Sequence, residues 1–207
     1  MNTMLHLGLG SFHRAHQAVY LNELIKTGDA RWTLAGGNTR PDMADTVAAL
    51  AAQGGAYTLE TISPAGEHRY ERVTSIRQVI PYTPDLAGLV AQGASADTKI
   101  ISFTVTEAGY YLDAKNQLDL SFPDLRADLD LARKGLPGST LYGALTAILR
   151  ARRADGAGPL TLLNMVSICR PIDEAEALAR AIAQGDLGTE VRNEGRDEAA
   201  RLIAALE

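Results

Sequence analysis

The chain has 207 residues, 46% of them apolar and 22% charged, with a formal net charge of −5 at neutral pH. That length and composition suit a soluble domain with a sizeable core. The negative balance argues against nucleic-acid and membrane-surface roles, because either polyanion would be repelled, and leaves a small-molecule partner as the expectation. No apolar run reaches about 18 residues and no basic segment precedes an apolar stretch at the start, so neither a membrane span nor a signal peptide is expected. The single cysteine, Cys169, agrees with a reducing compartment, and a cytoplasmic location is the expectation.

In chain order, residues 4–16 open as an apolar run that meets Gly8 and Gly10 and then turns polar, the pattern of a strand, a tight turn and a helix start. Glycines there let the backbone take positive φ and let a phosphate approach, and the following helix start points unpaired N–H groups at the anion. The third position of the G-x-G-x-x-G pattern is His13, so the dinucleotide fingerprint is partial. Ala15, Val19, Leu21, Leu24 and Ile25 recur at helical spacing up to Gly28. Trp32 to Ala35 is expected as a second strand closed by Gly36-Gly37-Asn38, and Pro41 as the start of a helix through Met43, Val47, Leu50 and Ala51. Tyr57 to Ile62 and His68 to Ile76, joined by Ser63-Pro64-Ala65-Gly66, are expected as an inserted antiparallel hairpin.

Pro84 to Val90 is expected as a short helix, and Lys99 to Thr106 as a buried strand leading to Glu107. Residues 113–138 are expected as a polar surface excursion with one helix around Leu125 to Ala132, and no chemistry is drawn from them. A helix from Thr140 to Arg153 with Leu141, Leu145 and Ile148 inward, and a last strand from Pro159 to Asn164, complete the alternation. Residues 173–184 and 195–206 are expected as amphipathic helices. The fold class is α/β, a doubly wound, Rossmann-like, mostly parallel sheet with an inserted antiparallel hairpin and a helical C-terminal tail. Its domains are expected as a dinucleotide-binding unit over 1–164 and a divergent tail over 165–207.

In such sheets the ligand lies beyond the carboxyl ends of the strands, so Gly8 to Phe12, Asn38 to Asp42 and Thr104 to Glu107 should converge. Gly8, Gly10, Ser11, Phe12, His13, Asn38, Arg40, Asp42, Thr104 and Thr106 are the cofactor-binding candidates. Asp42 either accepts hydrogen bonds from an adenosine ribose or stabilises a helix start beside Pro41; Arg40 could instead accommodate the extra phosphate of NADP. His13 and His16 lie three apart on a helix start, but lack an evident third ligand, so no metal is expected. Glu107 is either a proton relay at a strand end or a solvated loop carboxylate. No G-x-S-x-G elbow, H-E-x-x-H motif or P-loop occurs, and Cys169 is expected as a buried structural thiol.

Two segments carry a family resemblance: Leu-Gly-Leu-Gly-Ser-Phe-His-Arg-Ala-His-Gln-Ala at 7–18 and Phe-Thr-Val-Thr-Glu-Ala-Gly-Tyr-Tyr at 103–111. Together they resemble the N-terminal domain of the polyol-specific long-chain dehydrogenases, the mannitol dehydrogenase family. Gly-Gly-Asn-Thr-Arg at 36–40, Leu-Glu-Thr-Ile-Ser-Pro at 59–64 and Gly-Pro-Leu-Thr-Leu-Leu-Asn at 158–164 are most similar to its D-arabinitol branch. The resemblance implies NAD-dependent, metal-independent oxidation of a sugar alcohol to a ketose. It implies that the glycine turn and Phe12 hold the cofactor and that Glu107 is a proton gate. It places the NAD-selecting acid in the segment of Asp42 and Met43, where only Asp42 is acidic.

The chain departs from the family pattern at Met165-Val166-Ser167, where members carry Cys-Asp-Asn followed by Asn-Gly, the first asparagine polarising the reacting oxygen. Members also carry a helical C-terminal domain with the catalytic lysine and its asparagine and histidine companions, which no stretch here matches. The expected function is therefore polyol oxidation by a truncated form with little activity alone, needing a partner chain or a missing C-terminal half. The alternative is a non-enzymatic NAD(H)-binding module acting through a partner chain.

Overall fold

The first strand of a computed structural model of the chain, β1 (Asn2–Leu7), distributes its side chains by parity. Leu5 and Leu7 join one buried cluster with Ile101, Phe103 and Ile148, while Met4 packs on another with Leu9, Leu21 and Leu34. Each fully buried Leu or Ile contributes about 2 kcal/mol of apolar transfer. Both faces are apolar because both are covered. The structure describes residues 1–105, 107–115 and 117–165, with Glu107 and Ala108 described through their backbone alone. The chain divides into units 1–163 and 164–207.

The strands are β1, β2 (Trp32–Gly37), β3 (Tyr57–Ile62), β4 (His68–Val73), β5 (Ile76–Ile80), β6 (Thr98–Phe103) and β7 (Thr161–Asn164). Five of them form one sheet in the order β5-β2-β1-β6-β7, and β3 and β4 form a separate antiparallel hairpin. β1 is parallel to β2 and β6, and β2 to β5. The helices are α1 (Ser11–Ala15), α2 (Gln17–Lys26), α3 (Ala44–Ala52), α4 (Ala87–Ala94), α5 (Pro123–Arg133) and α6 (Leu141–Ala154). α2 and α3 cover one face through Ala18, Leu21, Val47 and Leu50. α4 and α6 cover the other through Leu89, Ala144 and Ile148. The chain builds outward from β1 to β5, then returns to lay β6 on the opposite side of β1, so the switch point falls between β1 and β6.

Several expected boundaries move, each for a visible reason. The helix after the glycine turn breaks at His16 (φ −121°, ψ −86°). There the Tyr57 hydroxyl donates to the Arg14 carbonyl, the acceptor an uninterrupted helix would offer to Ala18. Ala15 and Leu24, expected on the apolar face, are exposed. Gly36 and Gly37 belong to β2 rather than closing it: a Cβ on Gly36 would meet Leu9 Cδ2 at 2.6 Å and one on Gly37 the Ile80 carbonyl oxygen at 2.8 Å.

The helix expected from Pro41 starts at Ala44, after Met43 in a left-handed conformation (φ 60°). The helix expected at Pro84 likewise starts later, at Ala87, after a left-handed Leu86. The strand expected over 68–76 stops at Val73, because Asn22 Oδ1 accepts the Thr74 N–H (2.9 Å) and the Ser75 hydroxyl donates to the Ala18 carbonyl. From Ile76 the chain instead pairs with β2, so the residue expected to end the hairpin begins a main-sheet strand. The buried strand ends at Phe103, and the last strand begins at Thr161 rather than Pro159. The expected tail helices and Cys169 lie outside the described residues.

The 113–138 excursion is more than surface. Asp128 on α5 is buried and accepts from the Ser139 and Thr140 amides, 2.9 Å each, and from the Thr140 hydroxyl, fixing the start of α6. At the other end of α6, buried Arg152 donates to the carbonyls of Gly93 (3.1 Å), Ser95 (2.8 Å) and Gly158 (2.6 Å). Arg152→Ala is expected to lower the unfolding free energy by about 2 kcal/mol, because it strands the buried Gly93 carbonyl and removes the bonds to two part-buried ones. Arg152→Lys should recover less than half, since an ammonium cannot fork to the same carbonyls; urea titration of both variants checks this.

Candidate functional site

At the carboxyl end of β1 the backbone passes through Gly8 at φ +122°, a conformation L side chains rarely adopt, while its N–H donates to the Gly37 carbonyl (2.9 Å). Gly10 has φ −67° and is the N-cap of α1, so of the two glycines only Gly8 uses positive φ. A Cβ on either would meet nothing within 4 Å. No side chain caps α1 and no acid sits in its first turn. Its first N–H groups therefore have no partner within the helix and face a cleft able to hold an anion.

Asn38, buried just past β2, ties this turn to the next loop: its Oδ1 accepts the Leu9 N–H (2.8 Å) and its Nδ2 donates to the Asp42 carbonyl (3.0 Å). The cleft so framed has a volume of about 310 Å3 and is lined by Gly8, Gly10, Ser11, Phe12, His13, Asn38, Arg40, Asp42 and Thr104. Every described cofactor-binding candidate thus reaches one place. Thr106 lies outside the described residues, and Glu107 opens a 3-10 turn over Glu107–Tyr110, its side chain outside the description. Asp42 precedes Met43, the N-cap of α3; no side chain caps that helix, and the acid in its first turn is Asp45.

Two more clefts continue the first. One, about 280 Å3, shares Leu7, Thr39, Arg40 and Thr104 with it and extends to Phe103, Gly109, Tyr111 and Leu141. The other, about 350 Å3, shares Asn38, Arg40 and Asp42 and extends over Val47, Ala48 and Ala51 of α3 to Pro81 and Tyr82 beyond β5. Its walls are mostly apolar, suited to a flat ring system with one polar edge.

Beneath the glycine turn lies a polar network that sequence reading missed. His13, one of the cofactor-binding candidates, is only 2% exposed and stacks on His6 of β1 with ring centroids 3.8 Å apart. Gln17 Oε1 can only accept, so it receives the Ser102 hydroxyl (2.9 Å) and His13 Nδ1–H (3.1 Å). Ser102 Oγ in turn receives His6 Nδ1–H (2.8 Å). Both Nε2 atoms then carry lone pairs: that of His6 faces the Thr104 hydroxyl at 3.5 Å, and that of His13 is buried without a partner among the described residues. Burial is the main force lowering the pKa of both rings, His13 to about 4 and His6 well below its ordinary value. The pair is neutral at physiological pH. His16 faces elsewhere, beside Phe12 and Tyr20, so it does not converge with His13 on one point.

At the junction of the three clefts Arg40 Nη2 lies 3.4 Å from the Tyr111 hydroxyl and 3.7 Å from Asp124 Oδ2. Tyr111 donates a short hydrogen bond to Asp124, which holds that carboxyl below its usual pKa. Burial, then the nearby carboxylate, holds the Tyr111 phenol above its own. Tyr111 has φ 51°, left-handed strain of a kind that persists where surrounding contacts over-determine it.

Helices on both faces of a parallel sheet, with the clefts at the carboxyl edge beside the switch point, define a Rossmann-type domain. The family model described as "Mannitol dehydrogenase Rossmann domain" matches residues 2–202, so the chain belongs to that family. The match continues past Asn164, where the sequence motifs end. D-arabinitol 4-dehydrogenase of Klebsiella pneumoniae is 56% identical over 162 residues, 78% of this chain and 34% of that protein. Mannitol 2-dehydrogenase of Pyrenophora tritici-repentis is 32% identical over 205 residues, 98% of this chain and 34% of that one. Among solved structures, mannitol 2-dehydrogenase of Pseudomonas fluorescens in ternary complex with NAD and D-mannitol superposes with a TM-score of 0.71 at 28% identity, covering 79% of this chain and 33% of the other. The chain spans about a third of the length of the curated relatives it matches.

Proposed function

We propose that the chain is the cofactor-binding part of an NAD-dependent polyol dehydrogenase, oxidising a sugar alcohol of the D-arabinitol or mannitol type to a ketose. One observation carries this: three clefts run continuously along the carboxyl edge of the sheet, polar at the glycine turn and apolar beyond Asp42. A dinucleotide has that sequence of parts. Its pyrophosphate belongs against the uncapped start of α1, where the open space before Gly8 and Gly10 admits it. Its adenine belongs between α3 and Tyr82, and its adenosine ribose where the two clefts share Asn38, Arg40 and Asp42. Asp42 accepts from the ribose hydroxyls, which favours NAD over NADP. Bound NAD supplies a hydride acceptor, and the alcohol belongs in the cleft of Thr104 and Tyr111.

Glu107, beyond that cleft, relays protons to solvent. Residues 1–164 form the binding unit and 165–207 an accompanying tail. The lining of the three clefts contains no lysine, so the base comes from a segment outside the described residues or from a partner chain. Loss of general-base help costs roughly 10²- to 10⁴-fold in rate, and the 207-residue chain alone should turn over little. A location in the cytoplasm accords with this chemistry. NADH titrated into the purified chain should give a saturable change in nicotinamide fluorescence, and D-arabinitol with NAD should give slow or no NADH production. No fluorescence change up to millimolar NADH would sink the assignment; fast turnover would show that the chain carries its own base.

A further inference from the structure

We infer that Asp124 and Tyr111, outside the adenosine subsite, add to the preference for NAD over NADP by holding Arg40 away from the ribose 2′ position. This rests on the dinucleotide assignment above. Arg40 is shared by all three clefts, so its guanidinium stands between two destinations. Toward the junction with Asp42 it would meet an adenosine 2′-phosphate, and a fork of N–H donors suits that group. In the structure it turns instead to the Tyr111 hydroxyl and the Asp124 carboxylate. That carboxylate also neutralises the one cation lining the adenosine junction. Tyr111 is itself locked, by its hydrogen bond to Asp124, by edge contact with Phe122 at 5.3 Å and by its left-handed backbone.

The ion pair is half exposed, 51% and 43% at the two side chains, and exposed pairs are weak. A phosphate can therefore compete for Arg40, and releasing the restraint should shift selectivity several-fold rather than invert it.

The experiment measures NADH and NADPH dissociation constants by fluorescence for the parent chain, Tyr111→Phe, Asp124→Asn, Arg40→Ala and the double variant Arg40→Ala/Asp124→Asn, with melting curves to confirm folding. Asp124→Asn should tighten NADPH relative to NADH by about 3- to 10-fold, and Tyr111→Phe, which leaves the net charge unchanged, by a smaller factor in the same direction. The gain should vanish in the double variant. An unchanged ratio in both single variants, or a gain that survives removal of Arg40, would overturn the inference, the latter by assigning the effect to net charge alone. Binding of neither nucleotide by the parent would instead refute the underlying assignment.

Discussion

Lowering the pH from 6.5 to 4 is expected to cost the folded chain about 3 kcal/mol through His13 alone, read as the fall in unfolding free energy from urea titrations across that range. The sign follows from which state takes the proton first. In the unfolded chain the imidazole titrates near 6.5, whereas in the fold burial holds it to about 4. Between those values the unfolded state binds more protons, so stability is complete above 6.5, falls as the pH drops and levels off below 4. His6, displaced the same way, adds to the loss. Protonating His13 would place a cation beside His6 and near Arg14, and the orphan Nε2 of His13 would become a buried donor with nothing to accept it. Asp29, held at about 2 by its Arg31 partner, contributes mainly at more acid pH, whereas Glu60 and Glu71, also lowered, begin to contribute near the acid end of this range in parent and variant alike. His13→Gln should flatten the slope between pH 6.5 and 4; an unchanged slope would mean that the ring is not buried and neutral.

The second large effect concerns the glycine turn. Gly8→Val should weaken NADH binding by about 100-fold, equivalent to roughly 3 kcal/mol, and should also lower the melting temperature. At φ +122° a branched side chain strains the backbone by about 1–3 kcal/mol, and relief of that strain would move the turn away from the phosphate. Gly10→Ala separates the two causes. At φ −67° its backbone accepts a side chain, and its Cβ meets no protein atom within 4 Å. It should melt like the parent yet bind NADH more weakly, because the methyl occupies space meant for the ligand. Parent-like binding by Gly10→Ala would place the pyrophosphate elsewhere.

The places where local reading went astray share a cause. Residues 68–76 read as one strand because no Gly, Pro, Asn or Asp interrupts them; the break is made by Asn22 and Ala18 on α2, some fifty residues earlier in the chain. Pro41 looked like a helix start because proline fits there, but Asn38 holds the Asp42 carbonyl and Met43 takes the left-handed turn that delays α3. His13 was seen for its position in the glycine pattern, and its stacking partner was not, because a histidine at the end of an apolar strand gives no local sign of what lies above it.

What the sequence by itself determined is what depends on near neighbours: the apolar first strand, the β/α alternation, the glycine turn, and the three loops that meet at one edge once a parallel sheet is assumed. The motifs at 7–18 and 103–111 added the family. Only the tertiary structure decided that β5 belongs to the main sheet, that His6 and His13 stack over Gln17 and Ser102, and that Arg40 is held by Tyr111 and Asp124. These depend on partners as far as 96 residues apart. Hydrophobic periodicity records which side of an element is buried, and carries no information about which distant polar atom will be waiting there.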